Sequence, residues 1–92
     1  MNPKKIKQMG MELDEWKIES CVAHFAIGES KNGPWATLYA IISKEKNKGH
    51  ATKLLADAKK YYEAQNRQVG GSVALNPIMK HIYKKLKYHE YK

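Results

Sequence analysis

The chain has 92 residues, 42% of them hydrophobic, with 17 basic and 9 acidic side chains and a net charge of +8. That length holds one hydrophobic core, so a single domain over residues 1–92 is expected, and the apolar fraction is too high for wholesale disorder. No apolar run nears the roughly 20 residues of a membrane helix, and the single Cys21 excludes an internal disulfide framework or a cysteine-rich zinc site.

Residues 1–15 read as an N-terminal arm or a short helix, with Ile6, Met9 and Leu13 at spacings of three and four. Acidic Glu12, Asp14 and Glu15 stand where a signal peptide would need an apolar stretch, so a cytoplasmic location is expected. From Trp16 onward side chains alternate, and residues 20–28 read as a strand buried on both faces or nearly so. The cluster from Glu29 to Pro34, with Asn32-Gly33 at its centre, predicts a hairpin turn. Trp35 to Ser43 is the second strand, given bulk by Leu38, Tyr39, Ile41 and Ile42.

A polar loop from Lys44 to His50 follows. Ala51, Leu54, Leu55, Ala58 and Tyr62 then mark one face of a helix that ends near Asn66. Val69, Gly71, Val73 and Leu75 alternate as a third strand. Asn76-Pro77 starts a second helix, Asn as cap and Pro in the first turn, where no amide partner is needed. Its apolar stripe is Ile78, Met79, Ile82, Tyr83 and Leu86, and Tyr88 to Tyr91 is a last short strand. After the arm the order is β-β-α-β-α-β. That is an α+β (broadly α/β) fold: a small mixed, twisted sheet of about four strands with two main helices.

Charge is placed unevenly. Residues 1–43 are neutral overall, with five lysines and five carboxylates, while residues 44–92 carry eleven lysines and Arg67 against four carboxylates. Such a half calls for an anionic partner: nucleic acid, an acidic protein or a phosphorylated cofactor. Sixteen lysines to one arginine suit phosphates better than base edges, which favour the planar guanidinium fork.

The loop between the second strand and the first helix is the most informative segment. Backbone N–H groups at a helix start make an anion site, reinforced by the helix dipole. Gly49 admits a close approach, Ala51 keeps it clear, and Lys46 and Lys48 add attraction. The same residues would also serve as an ordinary strand-to-helix connection with solvated lysines. His24, His50, His81 and His89 show no metal-ligand spacing, and no metal is expected.

Lys46, Asn47, Lys48, Gly49, His50 and Ala51 follow the pattern Gln/Arg-x-x-Gly-x-Gly/Ala, with Lys in the first position. Asn76 to Tyr88 follows a second pattern, Asn-x-x-Ala-x-x-Leu-Tyr-Glu-Lys-Leu-Gly-Phe, keeping the Asn-to-Tyr spacing, the Lys-Leu pair and the final aromatic, with Met79 and Lys87 in place of small residues. In these two segments the chain resembles the GNAT superfamily of N-acetyltransferases.

The resemblance implies a short GNAT-like domain that transfers an acetyl group from acetyl-coenzyme A, as cosubstrate, to an amine. It implies that the backbone around Ile41 and Ile42 bonds the pantetheine arm and thioester, and that the amides from Asn47 to Ala51 hold the pyrophosphate. Asn76 would contact the pantetheine region, and the Tyr83 hydroxyl would protonate the departing thiolate. Two departures stand out. The family's carboxylate base positions hold Thr37 and Gly71, so the amine arrives deprotonated or passes its proton through water to a backbone carbonyl, Ser72 or His24. The family's usual opening strand and two helices correspond to about fifteen residues, which favours a homodimer completing the acceptor cleft. The alternative is a non-catalytic basic module for nucleic acid, an acidic protein or acyl-coenzyme A.

Overall fold

The computed structural model describes residues 2–8, 10–19, 21–43, 49–71 and 77–90. Its strands are β1 (Lys4–Gln8), β2 (Met11–Ile18), β3 (Cys21–Ser30), β4 (Gly33–Ser43), β5 (Gln68–Gly71) and β6 (His89–Glu90), and its helices are α1 (His50–Glu63) and α2 (Pro77–Leu86). The six strands form one mixed sheet in chain order. The first four are antiparallel, β5 runs parallel to β4, and β6 runs parallel to β5.

Within residues 1–15 the described residues are neither arm nor helix. They form the β1–β2 hairpin, whose tight turn uses Gly10 at φ 81° and closes on the Gln8–Met11 pair. Ile6 and Leu13, seven residues apart, suit a helix face equally well, but they are cross-strand partners. The sheet therefore has six strands rather than about four. At the β3–β4 hairpin the two-residue turn is Lys31-Asn32, because Ser30 pairs with Gly33. Gly33 (φ 112°) thus enters the strand instead of sharing the turn.

Both helices lie on one face of the sheet. That face gathers Trp16, Ile18, Cys21, Ala23, Phe25, Ala36 and Leu38 from the strands against Leu54, Leu55, Ala58 and Tyr62 of α1 and Ile82 and Tyr83 of α2. The α1 stripe is as the spacing predicts, except that Ala51 is only partly buried. The other face of β3 is more open than expected. Val22, His24 and Ala26 are partly exposed, because neither helix covers them.

A buried hydrogen-bonded chain ties α1 to the sheet. Trp16 Nε1 donates to Tyr62 Oη at 2.9 Å, and Tyr62 donates to Asp14 Oδ2 at 2.8 Å. Lys5 of β1 reaches Asp14 Oδ1 at 2.8 Å, so the carboxylate, buried at 2% exposure, has a cation beside it. Trp16 also meets the Tyr61 and Tyr62 rings edge-on. Tyr62→Phe keeps the ring but leaves the indole N–H and one carboxylate oxygen without their partner. The expected loss is about 1–3 kcal/mol of folding free energy, measured by urea denaturation.

Burial raises the Tyr62 hydroxyl far above its ordinary range, and burial does the same to Tyr88, followed by the charge of Tyr83 and Glu63. Both groups ionise more readily unfolded than folded. Their contribution to stability is complete below about pH 10, the unfolded tyrosine value, and is lost above it. Alkaline titration monitored together by tyrosinate absorbance and circular dichroism should show these two tyrosines ionising only as the fold is lost.

Candidate functional site

The candidate site collects at the carboxyl end of β4, where it parts from β5. In open sheets with parallel strands, ligands settle outside the carboxyl ends of the strands. β5 pairs with β4 only from Trp35 to Leu38 among the described residues, and β4 then continues to Ser43 paired with β3 alone. At the step beyond Leu38, β4 carries a bulge. Leu38 pairs with Phe25 and Ala40 with His24, so Tyr39 is an extra residue without a cross-strand partner on β3. Tyr39 and Ile42 are the two most exposed large apolar side chains described, at 55% and 66%. Ile41 turns inward and packs against the core.

Tyr83 reaches this point from α2. Its hydroxyl sits on the Cα of Gly71, the last described residue of β5, where any side chain would collide with it. Gly71 is the partner of Leu38, which places the phenol over the last β4–β5 pair, one residue before the bulge. The ring is held by the way α2 ends. Tyr88 N–H bonds Tyr83 O at 2.9 Å and Lys87 N–H bonds Lys84 O at 3.4 Å, the two bonds of a Schellman motif, with Lys87 left-handed at φ 61°. The motif folds Tyr88 back onto Tyr83, their rings stacked with centroids 5.8 Å apart and planes 7° from parallel. Tyr88 Oη donates to the Leu55 carbonyl, which anchors the pair to α1.

α1 begins at Gly49, a left-handed N-cap (φ 74°) with no side-chain capping bond and no acidic residue in its first turn. The amides of this turn and the dipole's positive end are therefore not neutralised from within the helix. His50 is the first helical residue, and its Nδ1 is buried without a hydrogen-bond partner among the described residues. Lys46, Asn47, Lys48, Ser72 and Asn76 lie outside the described residues.

Of the residues expected to act together, the fold thus brings Ile41, Ile42 and Tyr83 to one end of the β4–β5 pair, with α1 starting seven residues after Ser43, the last residue of β4. Thr37 is partly buried on the face without helices, and Gly71 offers no side chain. The titratable pair that sequence reasoning passed over is Glu15 with His24. They are neighbours across β2–β3, and Glu15 Oε2 lies 3.0 Å from His24 Nε2. His24 stands opposite Ala40, beside the bulge, on the face without helices. The β2–β3 register puts Glu15 beside His24, and it does so because β2 begins at Met11, ahead of the alternation that starts at Trp16.

Among the described residues no group of three His, Cys, Asp or Glu side chains could hold a metal ion, and no helix is long and apolar enough to cross a membrane. Comparison with family models, with curated proteins and with solved structures finds no match to this chain. Gly71→Ala should force the Tyr83 phenol out of place and lower stability by about 1–3 kcal/mol. In a double-mutant cycle by chemical denaturation, Tyr83→Phe should recover part of that loss, since the hydroxyl makes the closest overlap.

Proposed function

We propose that the chain is a small N-acyltransferase of the GNAT type, binding acetyl-coenzyme A at the end of the β4–β5 pair and passing the acetyl group to an amine. The observation that carries the reading is the Tyr83 hydroxyl standing over the Leu38–Gly71 pair, next to the bulge at Tyr39. A bulge frees strand backbone from its ladder, and freed backbone can bond an extended ligand lying along β4. Ile41 and Ile42 follow directly, and the uncapped start of α1 supplies amides for a pyrophosphate through Gly49, His50 and Ala51. Lys46, Asn47, Lys48 and Asn76 complete the cofactor contacts in this reading.

In the reaction the amine nitrogen attacks the thioester carbonyl carbon, the C–N bond forms, and the C–S bond breaks. Tyr83 gives its proton to the leaving thiolate and recovers one from solvent. Carbonyl charge that develops in between is met by backbone N–H at the bulge. The amine's proton leaves through water to His24, whose ring Glu15 orients by its 3.0 Å contact. No metal takes part in this scheme.

Acetyl-coenzyme A should therefore raise the melting temperature, by linkage worth roughly 2–3 kcal/mol at a hundredfold excess over Kd. Thr52→Glu separates binding from folding: a carboxylate in the first turn favours the helix dipole yet repels a pyrophosphate there. Its apo form should melt no lower than the parent, and its cofactor shift should vanish. An unchanged melting temperature for the parent across millimolar cofactor removes the reading. In a thiol-release assay with a panel of amines, Tyr83→Phe should lower turnover by roughly 10²–10⁴-fold with cofactor affinity nearly unchanged.

A further inference from the structure

The solvent face of α2 and its C-terminal turn is a second surface, separate from the acyl site and independent of that reading. Residues 64–89 contain no Asp or Glu at all, while Arg67, Lys80, Lys84, Lys85 and Lys87 fall within them. Lys80, His81, Lys84, Lys85 and Lys87 are all exposed, and the buried side of the same helix is apolar, with Ile82 and Tyr83. Lys80 to Lys87 covers about 10 Å of helix length. No ion pair involves these four lysines among the described residues. The helix dipole alone does not account for so many, since it acts within the last turn and Lys80 lies at the fourth position of α2.

The conformation of Lys87 adds a second observation. Both helices end in the same motif, with Arg67 N–H to Tyr62 O and Asn66 N–H to Glu63 O closing α1. α1 puts Asn66 at the left-handed position (φ 61°), and asparagine tolerates that region. α2 puts Lys87 there at the same φ, where glycine is the usual residue and a lysine is strained. The chain holds a charge where its backbone favours glycine.

We infer that this face docks the phosphate backbone of a nucleic acid, through Lys80, Lys84, Lys85 and Lys87. Lysine meets phosphate as a point charge without the fixed geometry of a guanidinium fork, which suits a face that follows a continuous run of backbone phosphates. The contact reads backbone charge and not base sequence.

The test measures binding of the whole chain to a fluorescent 20-nucleotide single strand and its duplex, over a salt series. The parent should bind with an affinity that falls steeply with salt. Lys87→Gly should raise the melting temperature by roughly 4–8 °C as the strain is relieved. It should also lower the salt slope by about 0.7–0.9, one phosphate contact. A stabilised variant that still binds cannot owe its loss to misfolding. Lys7→Gln, on β1 at the far edge of the sheet, removes the same charge and should leave the slope unchanged. The inference is overturned by no binding at low salt, or by equal slopes for parent and Lys87→Gly. It is also overturned by an equal drop for Lys7→Gln, which would make the effect one of net charge. Binding to polyglutamate as tight as to DNA would overturn it too, in favour of an acidic protein partner.

Discussion

Leu38 and Ile41 both face the helices, although three residues apart in a strand, and they can do so only because Tyr39 is an extra residue on β4. In an uninterrupted strand the period of two would put one of them on the open face. The alternation that sends Phe25 and Leu38 inward would then drive Ile41 out of the core. Packing at both ends of β4 therefore requires the bulge. The bulge in turn fixes where regular pairing with β3 is broken and where Tyr39 and Ile42 stand exposed. The candidate site lies where core packing obliges the strand to depart from its ladder.

Tyrosine hydroxyls hold the helices in register with that break. Tyr62 carries α1 onto β2 through Asp14 and Trp16, and Tyr88 carries the end of α2 onto the Leu55 carbonyl of α1. A buried hydroxyl is costly without a partner, so each bond fixes a position more narrowly than apolar contact would. Tyr83 inherits its place from these anchors. It stacks on Tyr88, and Gly71 leaves room for its oxygen directly on the sheet. Glycine on β5 reads in sequence as a strand residue that cannot act as a base. In the fold its missing side chain is what admits the phenol.

The elements after residue 20 were legible because each has one dominant signal. The α1 stripe repeats over about three turns, Asn76-Pro77 marks where α2 begins, and the β3–β4 turn sits in a polar cluster. Residues 1–15 were not legible, because Ile6 and Leu13 fit a helix face and a hairpin pair equally well. What decided between them was Gly10 in the turn and the long-range burial of Asp14 and Trp16 against Tyr62, more than forty residues away. The bulge left one trace in sequence, the inward pair Leu38 and Ile41 at a spacing of three. The Glu15–His24 contact left none, since it depends on a strand that local pattern did not define. Of the residues expected at the site, Ile41, Ile42 and Tyr83 lie on elements with strong local patterns, which is why their places in the fold were legible.

The division between arginine and lysine follows the same physical lines. The single arginine is half-buried, and its Nη1 donates to the carbonyls of Gly28 at 3.2 Å and Trp35 at 3.3 Å, a pair facing each other across β3 and β4. Bridging two fixed acceptors from one planar group is work for which a guanidinium is preorganised and an ammonium is not. Arg67 therefore fastens the start of β5 to the β3–β4 hairpin, and Trp35 completes the joint by lying over Gly28, where a side chain would collide with its ring. The lysines of α2 do no such internal work. They stand on a surface with no carboxylate within its own stretch of chain, one of them in a backbone conformation suited to glycine. Charge that the fold does not use for its own cohesion, and holds against local conformational preference, is charge directed outward.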